Sequence, residues 1–81
     1  MAFSRRVGRM VLDVVEERIL AYLSIVEGRS RDVILRALAL RDEDCDGALE
    51  RLKERRLVSE IPGSQISLYF VTEEGRREMR R

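Results

Sequence analysis

The sequence predicts an α+β fold that is mostly helical, with a three-helix core, a two-stranded hairpin and a short C-terminal helix. Residues 42–58 give the first observation, because their apolar side chains recur at the three- and four-residue spacing of one helix face. These side chains are Cys45, Ala48, Leu49 and Leu52. The second observation is a change from helical to alternating periodicity after Arg56. Eighty-one residues supply one small core, so we expect a single domain over 10–81, preceded by a flexible basic arm at 1–9.

A helical pattern of apolar residues runs from about Met10 to Val26, and Gly28 is expected to cap its end in the left-handed conformation. Several apolar residues lie off the main stripe of this helix, namely Met10, Val11, Val14 and Ile25. The helix therefore has more apolar surface than one small domain covers. Either other elements of the same domain flank it, or it forms the seam of a homodimer, to which Met79 also contributes.

The second and third helices are expected to begin at good N-capping residues, Ser30 and Asp42. The second helix is predicted over 31–39. The connection to the third helix is so short that the two can cross only steeply, as in a helix-turn-helix. Beyond the third helix, the pattern predicts strands at 57–61 and 66–71, a turn at 62–65, and a last helix at 73–80 capped by Thr72.

Composition argues against an enzyme and against a metal or other cofactor. The chain has no histidine and one cysteine, so it lacks the usual zinc ligands, an internal disulfide and the commonest general base. Cys45 lies on the apolar face of the third helix, where a small core residue is expected and not a reactive thiol. No Walker loop, nucleophile elbow or dinucleotide-binding glycine motif is present in the sequence.

The sequence predicts a cytoplasmic protein. Charged residues interrupt the most apolar stretch, so no segment is expected to cross a membrane. These residues are Asp13, Glu16, Glu17 and Arg18. The N-terminal arginines are not followed by an unbroken apolar run and a small-residue cleavage site, which argues against a signal peptide.

Charge is distributed unevenly along the chain. Residues 1–9 and 76–81 each carry a net charge of +3, whereas 10–75 hold nine bases and fourteen acids, a net −5. Fifteen of the sixteen basic residues are arginine, and 38% of the chain is charged. This composition is typical of a heat-adapted organism with surface ion-pair networks, although codon composition produces the same arginine bias.

Four segments in the right order resemble the winged helix-turn-helix domain of small prokaryotic transcriptional regulators. They are ERILAYL in the first helix, SRDVILRALAL in the second, ALERLKERRLV leading from the third helix into the first strand, and LYFVTEEGRREM after it. The resemblance covers about residues 12–79. The family often has glycine where this chain has Arg56, and a left-handed non-glycine residue there costs on the order of 1 kcal/mol.

The resemblance implies a DNA-binding transcriptional regulator that acts as a homodimer, with the third helix in the major groove of double-stranded DNA and the wing beside it. The residues it implies for DNA contact are Arg51, Lys53 and Arg55, the wing-tip residues Ser64 and Gln65, and Arg5, Arg6 and Arg9 of the arm. The charge pattern conflicts with this implication, because residues 42–50 hold five acids and no base. Acids in a first turn also complement the helix dipole, so the conflict alone does not decide the function.

The alternative interpretation is a winged helix that binds a protein partner. Its contact surface would be the acidic third helix, facing a basic partner, or an apolar face formed by Val11, Val14, Val33 and Leu35. The fold serves both uses, so it cannot choose between them. We favour DNA binding, as the commoner occupation of this fold among small prokaryotic chains.

Overall fold

The computed structural model describes residues 11–80, and the arm expected at 1–9 lies outside them together with Met10. The elements in chain order are α1 (Val14–Ile25), α2 (Arg31–Ala37), α3 (Asp42–Glu54), β1 (Val58–Pro62), β2 (Ser67–Val71) and α4 (Glu73–Met79). This order confirms the predicted α+β fold with a three-helix core, a two-stranded wing and a short last helix. No helix among the described residues is long and apolar enough to cross a membrane.

Helix α1 begins later than the sequence pattern predicted. Asp13 is its N-cap and accepts a hydrogen bond from the Glu16 backbone N–H, while the Glu16 carboxylate accepts one from the Asp13 backbone N–H. This reciprocal capping box fixes the first turn, so the predicted start near Met10 was wrong by about one turn. Val11 therefore precedes the helix.

The end of α1 also differs from the prediction. Val26 closes the helix in an extended conformation, so Gly28 lies beyond the cap position that the sequence assigned to it. Gly28 does adopt a left-handed φ of 46°, as expected. Glycine is also required here by packing, because a Cβ at this position would lie 2.5 Å from Cζ of Phe70.

The turn between α2 and α3 is closed by a left-handed residue that is not glycine. Ala39 has a φ of 54°, and its N–H and that of Leu40 bond to carbonyls of the last turn of α2. This conformation ends α2 two residues before the predicted end. Arg41 occupies the N-cap of α3 in an extended conformation, so Asp42 is the first helical residue and the prediction of an Asp42 N-cap was wrong.

The core forms where α1, α2, α3 and the start of β1 meet. Its buried members are Ile19, Leu20, Leu23, Ile34, Cys45, Ala48, Leu49, Leu52, Leu57 and Val58. All four apolar residues that predicted the face of α3 belong to this set. Cys45 is fully buried, which confirms the prediction of a core residue. Burial raises the pKa of its thiol, since the thiolate loses its hydration there.

Strands β1 and β2 form an antiparallel wing in a register that runs from Val58 opposite Val71 to Pro62 opposite Ser67. The segment before α2 joins this sheet through two backbone hydrogen bonds between Arg29 and Tyr69, of 3.1 and 2.8 Å. Strand β2 is therefore hydrogen-bonded along both of its edges, to β1 on one side and to Arg29 on the other. Arg56 follows α3 with a left-handed φ of 64°, at the position where the resembled family often has glycine.

Candidate nucleic-acid interface

The helix-turn-helix presents an acidic surface along the outer side of α3. Five carboxylate side chains in the first nine residues of this helix are exposed to solvent, those of Asp42, Glu43, Asp44, Asp46 and Glu50. Glu43, Asp46 and Glu50 lie on the side of the helix away from its buried face, whereas Asp42 and Asp44 lie toward its flanks. The five acids that the sequence counts in residues 42–50 are thus all exposed.

Arg31, the first residue of α2, forms ion pairs with carboxylates of this surface. Its Nη2 donates to Asp42 at 2.9 Å and its Nε to Asp46 at 2.5 Å, and its Nη1 lies 3.0 Å from Asp32. These hydrogen bonds raise the pKa of Arg31 and lower that of Asp46. Sequence reasoning did not single out Arg31, because the pairing spans 15 residues and depends on how α2 crosses α3.

The side of α3 that faces α1 holds a buried carboxylate between two arginines. Only 2% of Glu16 is exposed, and its carboxylate accepts a hydrogen bond from Arg51 Nε at 2.5 Å and from Arg55 Nη1 at 3.3 Å. Arg51 also reaches Asp13 at 3.0 Å. Hydrogen bonding to Glu16 raises the pKa of Arg51. The sequence analysis treated Glu16 only as a charge that interrupts an apolar stretch. Its spacing of three residues from Asp13, which is that of a capping box, could have indicated its structural role.

Lys53 connects α3 to the wing. Its ammonium lies 2.6 Å from the Glu60 carboxylate on β1 and 3.6 Å from Glu50. The hydrogen bond between Lys53 and Glu60 raises the pKa of Lys53 and lowers that of Glu60. Half-buried Tyr69 stands close by, and burial raises the pKa of its phenol. The resemblance implied DNA contact by three basic residues of this region, Arg51, Lys53 and Arg55. In this structure, each of them is paired with a carboxylate.

The remaining residues implied for DNA contact lie at the wing tip and in the arm. Ser64 and Gln65 are exposed at the tip, between the two strands. Arg5, Arg6 and Arg9 lie outside the described residues. On the helix-turn-helix itself, Arg36 and Arg41 are exposed. Arg41 makes only a long contact of 3.6 Å with Asp44, so its guanidinium remains accessible.

Two apolar side chains of α1 lie on its outer side. Val14 is 71% exposed and Ile25 is 83% exposed, and their spacing of about three turns puts them on one helix face. Val11, just before the helix, is also exposed. Met79 is half-buried against the core.

The apolar side chains of α2 named in the alternative interpretation are less available. Val33 is exposed, but Leu35 is half-buried and packs against the core. Among the described residues, no group of three or more acidic, cysteine or histidine side chains is arranged to hold a metal ion.

Neither a protein-family model nor a curated protein matches this sequence. Solved structures do match it. The PcaV transcriptional regulator from Streptomyces coelicolor, in complex with its natural ligand, aligns with a TM-score of 0.82 and 22% identity, over 86% of this chain and 52% of its own. BpsR from Bordetella bronchiseptica, whose DNA binding is regulated by 6-hydroxynicotinic acid, aligns with a TM-score of 0.81 and 23% identity, over 96% of this chain and 57% of its own.

A variant of MepR from S. aureus, bound to an oligodeoxyribonucleotide, aligns with a TM-score of 0.78 and 18% identity, over 85% of this chain and 54% of its own. This chain spans about half the length of each of the three structures. At these identities the similarity establishes the fold. The chain is therefore a winged helix-turn-helix domain, with the fold that these transcriptional regulators share.

Proposed function

We propose that this chain is a DNA-binding winged-helix domain that acts in transcriptional regulation. The observation that carries the proposal is the match of nearly the whole domain to regulators of this fold, one of them solved on an oligodeoxyribonucleotide. Its helix-turn-helix and wing are both complete within the described residues. A regulator of this kind is not an enzyme, and in a prokaryotic cell it works in the cytoplasm.

The phosphate contacts come from the edges of the acidic surface and not from its centre. Exposed Arg36 and Arg41 flank the turn between α2 and α3, and the three arginines of the arm add to the positive charge. A smaller contribution to phosphate binding comes from Arg51, Lys53 and Arg55, whose N–H groups can donate to a phosphate while they remain paired with their carboxylates. Glu16 and Glu60 neutralise these side chains in the free protein, which lowers their contribution to affinity.

The domain acts as a homodimer through the outer face of α1. Val14 and Ile25 are large apolar side chains on one face of a helix whose other face is buried, and a second copy of this helix would remove both from water. Two-fold symmetry then places two α3 helices toward two half-sites of the duplex.

Fluorescence anisotropy of the purified chain on mixed-sequence duplex DNA, titrated at several salt concentrations, tests the proposal. We expect binding that weakens as salt rises, with a slope that counts the neutralised phosphates. Arg41→Gln should lower that slope by about one, because it removes one phosphate contact, whereas Arg41→Lys keeps the charge and the slope.

A duplex that stays unbound at the lowest salt would reject the proposal. The alternative, a protein partner, would then be favoured by the exposed carboxylates of α3, which suit a basic surface. Cross-linking in a cell extract, with carboxylate-to-amide variants at Asp44 and Glu50 as controls, would look for that partner.

A further inference from the structure

A cleft lies between the start of α2 and the side of the wing that carries Glu60 and Tyr69. Its volume is about 290 Å³. Besides these two residues, Arg31 and Asp32 of α2 and Ile66 of the turn between the strands line it. This volume lies at the lower end of the range for small-molecule sites, so it suits a ligand of on the order of ten non-hydrogen atoms.

The two walls of the cleft are held in place by contacts that need no ligand. Arg29 and Tyr69 exchange backbone hydrogen bonds of 3.1 and 2.8 Å, which join the segment before α2 to β2. Lys53 of α3 binds the Glu60 carboxylate at 2.6 Å and so fixes β1 to the helices. The cleft is therefore formed in the free domain, and a ligand does not have to order it.

The charge around the cleft is negative. Arg31 is paired with three carboxylates and Lys53 with two, so these two bases are set against five acids, a net −3. The acids are Asp32, Asp42, Asp46, Glu50 and Glu60. Arg29 directs its guanidinium to the carbonyl oxygens of Glu27 and Gly28 and does not line the cleft. A concave surface with this excess of negative charge concentrates cations.

The lining is apolar on one side and acidic on the other. The Tyr69 ring is half-buried, and the Ile66 side chain is 61% exposed. Arg31 contacts only Oδ1 of Asp32, at 3.0 Å, which leaves Oδ2 for a further donor. A bare metal ion would use the carboxylates and leave the apolar side in water. An organic cation uses both, because an ammonium group is attracted to a carboxylate and to the face of a tyrosine ring.

We propose that this cleft binds a small organic ammonium ion with an aromatic body, whose charged group lies at Asp32 and whose ring packs against Tyr69 and Ile66. Glu60 adds to the attraction through its charge. The proposal goes beyond DNA binding and does not depend on it, since the ligand binds the free domain. The Asp32 side chain is 74% exposed, so water competes for the ion pair and a dissociation constant on the order of 1 mM is expected.

Titration of the free domain with phenethylamine, followed by amide NMR correlation spectra, tests the proposal. We expect saturable shifts at the backbone amides of Asp32, Ser67 and Tyr69. Phenethyl alcohol has the same shape without the charge, and methylamine has the charge without the ring. Each should bind at least about tenfold more weakly, because one lacks the attraction to the acidic surface and the other buries no apolar area.

Two substitutions assign the binding to the cleft, and a third is their control. Asp32→Asn should weaken phenethylamine binding about threefold, because it removes the direct partner of the ammonium group. Ile66→Ser should weaken it by a similar factor, because it removes part of the apolar wall. Glu43→Gln also removes one acid from the exposed surface of the helix-turn-helix, but outside the cleft, and it should bind like the unmodified domain. The same spectra show that each variant is folded.

Several results would overturn the proposal. Equal weakening by Asp32→Asn and Glu43→Gln would show that overall charge alone attracts the probe. Phenethyl alcohol that binds as tightly as phenethylamine would exclude a cation site, and shifts that never saturate or that centre outside the cleft would exclude this location. None of these results bears on DNA binding, which is measured separately by anisotropy, and a domain that binds no duplex can still bind the amine.

Discussion

Glu16 of α1 accepts a hydrogen bond from Arg51 of α3 at 2.5 Å, in a position where 2% of the glutamate is exposed. The same carboxylate caps the start of its own helix and binds Arg55. One side chain thus fixes the first turn of α1 and the side of α3 that faces it. Its loss would leave two guanidinium groups without their shared partner.

Glu16→Ala is expected to destabilise the domain by about 2 kcal/mol, since it removes a capping interaction and the buried partner of two arginines, which can still turn toward water. Urea denaturation measures the difference. Glu17→Ala is the matched control, because Glu17 is the exposed neighbour in the same turn and should change the free energy of unfolding by less than about 0.5 kcal/mol. Equal effects of the two substitutions would show that the buried network contributes nothing.

Stability is expected to fall in acid through Asp46 and Glu60. The pKa of each is lower in the folded protein than its ordinary value, because Arg31 and Lys53 respectively donate to the charged carboxylate. A depressed pKa stabilises the fold above the ordinary value, here 3.8 for Asp46 and 4.5 for Glu60, and the contribution disappears as the pH falls through the folded value. The melting temperature should therefore drop below about pH 4.5, and Glu60→Gln should make that drop smaller. A drop of the same size in Glu60→Gln would exclude a contribution from this carboxylate.

Arg56→Gly is expected to stabilise the domain by about 0.5 kcal/mol, because glycine adopts the left-handed φ of 64° without the strain of a side chain, partly offset by its greater freedom when unfolded. Arg36→Gly replaces an arginine inside α2 and should instead destabilise by about 1 kcal/mol. Thermal or urea unfolding of the pair checks the sign. Destabilisation by both would mean that Arg56 is not strained.

Two glycine-to-alanine substitutions are expected to act in opposite directions. A Cβ on Gly75 would overlap the Leu57 carbonyl oxygen and approach Val71, so Gly75→Ala should destabilise by about 2 kcal/mol. A Cβ on Gly47 would meet only the flexible end of Arg51 at 3.1 Å, so Gly47→Ala should stabilise α3 by about 0.5 kcal/mol. Denaturant unfolding of both variants tests the close approach of α4 to the end of α3.

Val14→Glu is expected to dissociate the proposed homodimer without unfolding the domain, because Val14 is 71% exposed within one chain. Sedimentation velocity should then show a single species of monomer mass. Val33→Glu also adds a charge at an exposed apolar site, but on α2, and should leave the dimer intact. An identical profile for Val14→Glu and the unmodified chain would remove α1 from the interface.

The order of the elements and most of the core follow from local patterns in the sequence. The face of α3 was predictable because Cys45, Ala48, Leu49 and Leu52 follow the helical repeat, and a period is a local property of the chain. The left-handed conformation of Arg56 was indicated only by the resemblance, because the resembled family often has glycine at this position. The exposure of Val14 and Ile25 was also predictable, because an amphipathic pattern shows which apolar residues lie outside the buried face of a helix.

Which charged side chains are paired depends on how the helices and strands pack together, and the sequence did not reveal it. Arg51, Lys53 and Arg55 follow one another on α3 as an available basic group, yet each meets a carboxylate from α1 or β1, between 7 and 39 residues away in the chain. The same is true of Arg31 and the acids of α3. Helix bounds were also misplaced, because a capping box sets the start of α1 and left-handed Ala39 sets the end of α2. The physical reason is that a hydrophobic repeat records local geometry, whereas an ion pair depends on how two elements cross, which no local pattern contains.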